Sequence, residues 1–225
     1  MPDLMRDGDL YLLDLGDGEN RFTPGWLAEL RGLLDTVAAA PAPRALVTTA
    51  TGKFWSNGLD LDWVGDHPDE VDGYVSDVQA LFASVLTLPV PTVAAVQGHA
   101  FAAGAMLALA HDWRVMRADR GFFCLPEVDI MIPFTPGMDA LIRSKLSPAT
   151  AVDAMTTGRR YGGVDALAAG LVTAVAGETD VVPSAMDLVQ PLVGKDPKTL
   201  GTIKGRMFGS VVEALGDRKA SKLGA

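Results

Sequence analysis

The chain has one cysteine, Cys124, so no disulfide can close within it, and a reducing compartment suits it. Histidine is scarce: His67, His99 and His111 show no metal-ligand spacing, and no metal site is expected. Positive charge is also in deficit, with 19 Lys and Arg against 28 Asp and Glu and a net charge of −9. A nucleic-acid partner needs a positive surface and is therefore not expected. A small phosphate-bearing ligand needs only a local basic patch. Long apolar runs are missing as well. The longest, residues 99–110, is too short to span a bilayer, and the charged residues 1–9 do not read as a signal peptide. These absences predict a soluble, cytoplasmic protein with no membrane partner. No Walker glycine–lysine motif is present, which argues against ATP chemistry. Ser56 and Ser84 lack an evident His–Asp relay.

What is present points to a packed α/β chain. Hydrophobic residues make up 48% of the 225 against 21% charged, enough for one domain with a sizeable core. Residues 10–15, 45–49, 91–96 and 112–116 read as strands, with a further short one at 122–124. Thr23-Pro24 opens a helix that Pro41 and Pro43 end, and residues 71–88 form another. Strand–helix alternation implies parallel pairing with crossover helices. After Glu127 the chain turns helical, over 136–146, 148–157, 163–169, 181–193 and 197–215, with a short strand at 171–175. The natural division is a core of residues 1–135 and a helical C-terminal region of 136–225. The tail from residue 216 is small and charged and is expected to fray.

Two loops stand out. In residues 96–110, VQGHAFAAGAMLALA, a strand runs through tiny residues into a helix. Ala and Gly there let a ligand approach the backbone, and the first helical amides lack internal partners and carry the positive end of the dipole. That suits an anion, although tight helix–sheet packing also favours Ala and Gly. Residues 53–62, KFWSNGLDLD, combine turn chemistry at Ser56-Asn57-Gly58 with an N-cap candidate, Asp60. An ordinary surface loop is the plainer reading, but Phe54, Trp55, Leu59 and Leu61 are apolar enough to line a pocket.

These segments, with Asn20-Arg21-Phe22-Thr23, FCLPEVDI at 123–130 and TGRRYGGVDALAAGLVTAV at 157–175, resemble the enoyl-CoA hydratase/isomerase (crotonase) superfamily over nearly the whole chain. The run DWRVM…RGFF…EVDI is most similar to its isomerase branch. The resemblance implies a crotonase-like spiral of ββα units whose C-terminal helices help to form a homotrimer or a dimer of trimers. It implies an acyl-CoA substrate, with coenzyme A part of that substrate and no separate cofactor. It also implies an oxyanion hole made by the backbone N–H groups of Leu59 and Ala103, with Asn57, Gly58 and Gly104 beside them.

Hydratases of this family use two glutamates. One of those positions is Met106 here, and the other matches Glu127. A lone base suffices to shift a double bond, so the resemblance implies a Δ3,Δ2-enoyl-CoA isomerase with Glu127 as its catalytic acid/base. A helix-capping or solvent-facing carboxylate is the plainer reading of Glu127 by pattern alone. Hydration, other enolate chemistry and non-catalytic acyl-CoA binding stay open. Met106 joins the substrate-binding residues. By the same resemblance Lys53 contacts a phosphate of coenzyme A, and Lys204 and Phe208 reach its adenine end, unless they simply belong to a basic amphipathic helix. Met131, Met138, Phe101, Phe134 and Trp63 are further candidates for an apolar pocket or for core. Cys124 reads as a buried, inert thiol, and His99 as structural.

Overall fold

A single pattern, strand–strand–helix, generates the fold. The computed structural model describes residues 1–217, so residues 218–225 of the expected frayed tail lie outside the described residues. The chain opens with β1 (Asp3–Asp7), β2 (Leu10–Asp14) and α1 (Pro24–Ala39). Next come β3 (Ala45–Thr49), β4 (Phe54–Ser56), α2 (Leu61–Asp66) and α3 (Val71–Leu86). The unit repeats as β5 (Thr92–Val96), β6 (His99–Phe101) and α4 (Ala103–Ala110). It repeats again as β7 (Trp113–Arg117), β8 (Phe123–Cys124) and α5 (Pro136–Lys145). The chain continues through α6 (Pro148–Thr157), α7 (Gly163–Ala168), β9 (Ala174–Ala176) and α8 (Val181–Val189), then α9 (Pro197–Met207) and α10 (Gly209–Gly216).

The first strand of each unit joins a six-stranded sheet ordered β1-β2-β3-β5-β7-β9, and the second joins a three-stranded sheet ordered β4-β6-β8. All pairings are parallel except β1 with β2. Residues 45–49 and 92–96 are buried throughout because both faces of the large sheet are covered. On one face α1, α3 and α4 pack with Trp26, Leu30, Phe82 and Leu107 in the core. On the other, Val181, Ala185 and Val189 of α8 meet Val47, Val93 and Val115. Thus β9 and α8, from the helical third of the chain, return to the first sheet.

The local signals read from the sequence act as expected at two caps. Thr23 Oγ1 accepts the Trp26 N–H, and Asp60 Oδ1 accepts the Trp63 N–H. Other elements differ. β1 is a charged, mostly exposed edge strand without apolar alternation, so nothing local marked it. The helix expected over residues 197–215 breaks at Phe208, whose ring turns inward beneath the Lys145 ammonium at 4.5 Å. Gly209, a poor helix former, follows and opens α10.

Candidate active site

The two small-residue loops meet. After β4 the chain turns at Gly58, which has φ of +80°. A Cβ there would sit 2.9 Å from the Ala103 nitrogen and 3.0 Å from the Phe101 oxygen, so only glycine allows this approach. After β6, Ala102 adopts φ 49°, ψ −126°, an unfavourable conformation for alanine, and α4 begins at Ala103. The Ala102 N–H is taken by the Cys124 oxygen and the Asp60 N–H by the Tyr74 hydroxyl. Among the described residues neither the Leu59 N–H nor the Ala103 N–H donates to another protein group. Both residues line a cavity of about 430 Å³. Two unused amides at one cavity can hold an oxygen that gains negative charge.

Glu127 lines the same cavity. It follows β8, in a turn closed by the Asp129 and Ile130 N–H groups on the Pro126 oxygen. Its side chain is almost wholly buried, 6% exposed, and Oε2 has no hydrogen-bond partner among the described residues. Burial pushes its carboxyl up to about 8, with its own backbone N–H pulling the other way. A carboxyl so placed exchanges a proton readily near neutral pH. Met106 on α4 also faces the cavity and is fully buried, so α4 brings no second carboxylate.

The chain matches known proteins over most of its length. The enoyl-CoA hydratase/isomerase family model matches residues 13–220. The chain belongs to that family. It is 37% identical over 203 residues to enoyl-CoA delta isomerase 2, peroxisomal, of Arabidopsis thaliana, covering 85% of each chain. It is 35% identical over 211 residues to that plant's enoyl-CoA delta isomerase 1, peroxisomal, covering 92% of this chain and 85% of the relative. Among solved structures, an enoyl-CoA hydratase/isomerase family protein from Pseudomonas syringae superimposes with a TM-score of 0.91 at 21% identity, covering 98% of each chain. A probable enoyl-CoA hydratase from Mycobacterium tuberculosis gives 0.89 at 23% identity, covering 98% of this chain and 92% of that one. The fold is the crotonase-type α/β spiral with a helical C-terminal region.

Within this family member the expected site residues divide. Leu59, Asn57, Ala103, Met106 and Glu127 converge on the cavity, with Phe101 and Met138 in its apolar wall. Gly58 and Gly104 shape it from behind, each packed against backbone. Met131 and Phe134 line a second cavity of about 710 Å³ that shares Glu127, Ile132 and Pro133 with the first. Trp63 lines neither cavity and stacks on His67. Lys53 is exposed outside the cavity, its ammonium 5.1 Å from the Phe54 ring centre.

Lys204 and Phe208, expected at the adenine end of coenzyme A, do not line the cavity. Lys204 is 4% exposed, and its ammonium donates to Asp112 Oδ2 at 2.6 Å and the Val90 oxygen at 2.8 Å. Asp112 also accepts the Thr92 N–H. The acid draws the lysine inward, so α9 presents it to the core rather than to solvent. Phe208 is buried beside Lys145.

Cys124 lines the cavity but is buried; its thiol donates to the Gly158 oxygen and is pushed up to about 11 by burial, unsuited to a nucleophile. His99 sits outside, between the rings of Phe54, Phe101 and Phe122. His111 is buried against Thr48 and the Leu107 oxygen. A carbonyl can only accept, so Nδ1 carries the proton and Nε2 takes the Thr48 hydroxyl. Burial lowers His111 to about 3. No group of three or more His, Cys, Asp or Glu able to hold a metal occurs among the described residues. No helix among them is long and apolar enough to cross a membrane.

The cavity lining also includes residues that the sequence did not single out for this place. These are Arg21, Asp62 and Arg160, and Arg21 bonds Asp62 at 2.7 Å and Glu19 at 2.5 Å. Arg21 lies within the Asn20–Thr23 motif, but nothing in its local pattern indicates a partner 41 residues away.

Proposed function

We propose that this chain is a Δ3,Δ2-enoyl-CoA isomerase that shifts a double bond with Glu127 as its only acid/base. The observation that carries the reading is one buried carboxylate, its Oε2 without a partner, in the same cavity as Leu59 and Ala103, whose amides are free, while α4 offers Met106 there instead of a second acid. The relatives named enoyl-CoA delta isomerases support the same choice.

The chemistry follows from that layout. The thioester oxygen of a 3-enoyl-CoA accepts the Leu59 and Ala103 N–H groups. Ionised Glu127 removes a proton from C2, and the electron pair spreads over a dienolate whose charge rests on that oxygen. Protonated Glu127 then returns the proton to C4, leaving the conjugated 2-enoyl thioester. No water is consumed, and the base is restored. Each amide is worth about a hundred- to a thousandfold in rate when aimed at the developing charge. The apolar wall of Phe101, Met106 and Met138 takes the acyl chain. Asn57 and Gly58 bound the thioester end, and Lys53 remains our candidate for a coenzyme A phosphate. Exposed Ile203 and Met207 on α9 suit packing against further copies in a homotrimer or dimer of trimers.

The test compares a 3-enoyl-CoA and a 2-enoyl-CoA with the purified protein in deuterium oxide. Conjugation of the first, deuterium entry at C2 or C4, and no water addition to the second are the expected results. Hydration of the 2-enoyl thioester without conjugation of the 3-enoyl thioester would overturn the reading.

A further inference from the structure

Ser56 and Asn20 lie outside the cavity, and no step of the proposed reaction uses them, yet they bind both of its loops. Ser56 is fully buried at the end of β4. Its hydroxyl donates to the Asn20 carbonyl oxygen at 2.8 Å and accepts the Gly58 N–H at 3.1 Å. The Gly58 carbonyl in turn accepts the Phe22 N–H at 2.8 Å. That carbonyl shares a planar trans peptide with the Leu59 nitrogen, so fixing it points the Leu59 N–H the opposite way.

Ser56 also touches the other loop. A Cβ on Gly104 would lie 2.4 Å from the Ser56 carbonyl oxygen and 2.8 Å from Oγ. The residue directly after Ala103 therefore rests on Ser56 without a gap. Asn20 completes the arrangement from below, at φ 50°. Its amide nitrogen donates to the oxygens of Gly16, Phe54 and Trp55 at 3.1, 3.3 and 3.0 Å. Three backbone carbonyls of two segments are thereby held by one side chain.

We propose that Ser56 and Asn20 form a clasp that sets the spacing and direction of the Leu59 and Ala103 amides, making both positioning residues for enolate stabilisation. The proposal rests on the reading of those amides as an oxyanion hole. A structural filler would support binding and turnover alike. A clasp acts where charge develops, so its loss falls on kcat and spares KM.

The test uses Ser56→Ala, which removes the hydroxyl at little cost in volume, and Asn20→Gly, which keeps the positive φ and the carbonyl but removes the amide. Steady-state kinetics on a 3-enoyl-CoA are paired with the ultraviolet enolate absorbance of bound acetoacetyl-CoA. Misaligned donors should lower kcat by about ten- to a hundredfold with KM nearly unchanged. The bound enolate fraction should fall in parallel. Unchanged kcat, or a raised KM with a full enolate signal, would overturn the clasp. If Ser56→Ala does not fold, Asn20→Gly decides by the same criteria. Wild-type protein that enolises acetoacetyl-CoA but does not isomerise the 3-enoyl thioester would refute the isomerase reading alone, and the enolate signal of the variants would still judge the clasp.

Discussion

Gly58 lies flush against the first turn of α4, so close that a Cβ would come within 2.9 Å of the Ala103 nitrogen. The two candidate oxyanion donors therefore belong to one rigid contact rather than to two independent loops. Gly58→Ala adds both that clash and an alanine at φ +80°. Turnover should fall by about a hundredfold or more, since donors displaced by a fraction of an ångström lose most of their effect. Circular dichroism and isomerase kinetics on the same sample check it. Wild-type kcat in a folded variant would contradict the geometry.

Burial sets the pH dependence. Glu127 must be ionised to take a proton, and burial lifts its carboxyl to about 8. The kcat/KM of the free enzyme should rise with pH through that region and level off above it. A plateau already reached near the ordinary carboxylate value would contradict a buried base.

The same carboxyl costs stability. Its folded value lies above the ordinary 4.5, so ionisation favours the unfolded chain. The cost is absent below pH 4.5, grows between 4.5 and about 8, and is complete above that. The Tm of Glu127→Gln should gain on wild type across this window and run parallel below it. A Tm difference independent of pH would contradict the assignment.

How much of this was legible in the sequence depends on how local each cause is. Caps at Thr23 and Asp60, and the span of α4, follow from neighbours in the chain, and they were readable. The edge strand β1 was not, because its stability comes from pairing with β2 and not from its own charged pattern. The break at Phe208 was not, because the Lys145 ammonium that sits over its ring comes from a residue far away in the chain. For the site, small residues marked both loops, and the family resemblance singled out Leu59, Ala103, Met106 and Glu127. The closeness of Gly58 to Ala103, and the Arg21–Asp62 pair in the cavity lining, arise from folding across separate units.

Lys204 shows the same limit and yields its own test. A lysine on an amphipathic helix reads as solvent-facing, but Asp112 holds it inside. Lys204→Met leaves that carboxylate without its cation and should destabilise the fold by about 3 kcal/mol. The KM for an acyl-CoA should stay unchanged, since the ammonium is buried away from the cavity. Denaturant titration and kinetics separate the two effects. A stable variant with a raised KM would restore the coenzyme A contact.

The most direct measurement is the conjugation of a 3-enoyl-CoA by wild type and by Glu127→Gln, followed as absorbance of the 2-enoyl thioester, with acyl-CoA affinity measured alongside. The account predicts conjugation by wild type, a loss of about a hundred- to ten-thousandfold in the variant, and retained affinity. Comparable conjugation by Glu127→Gln would show that this buried carboxylate is not the base.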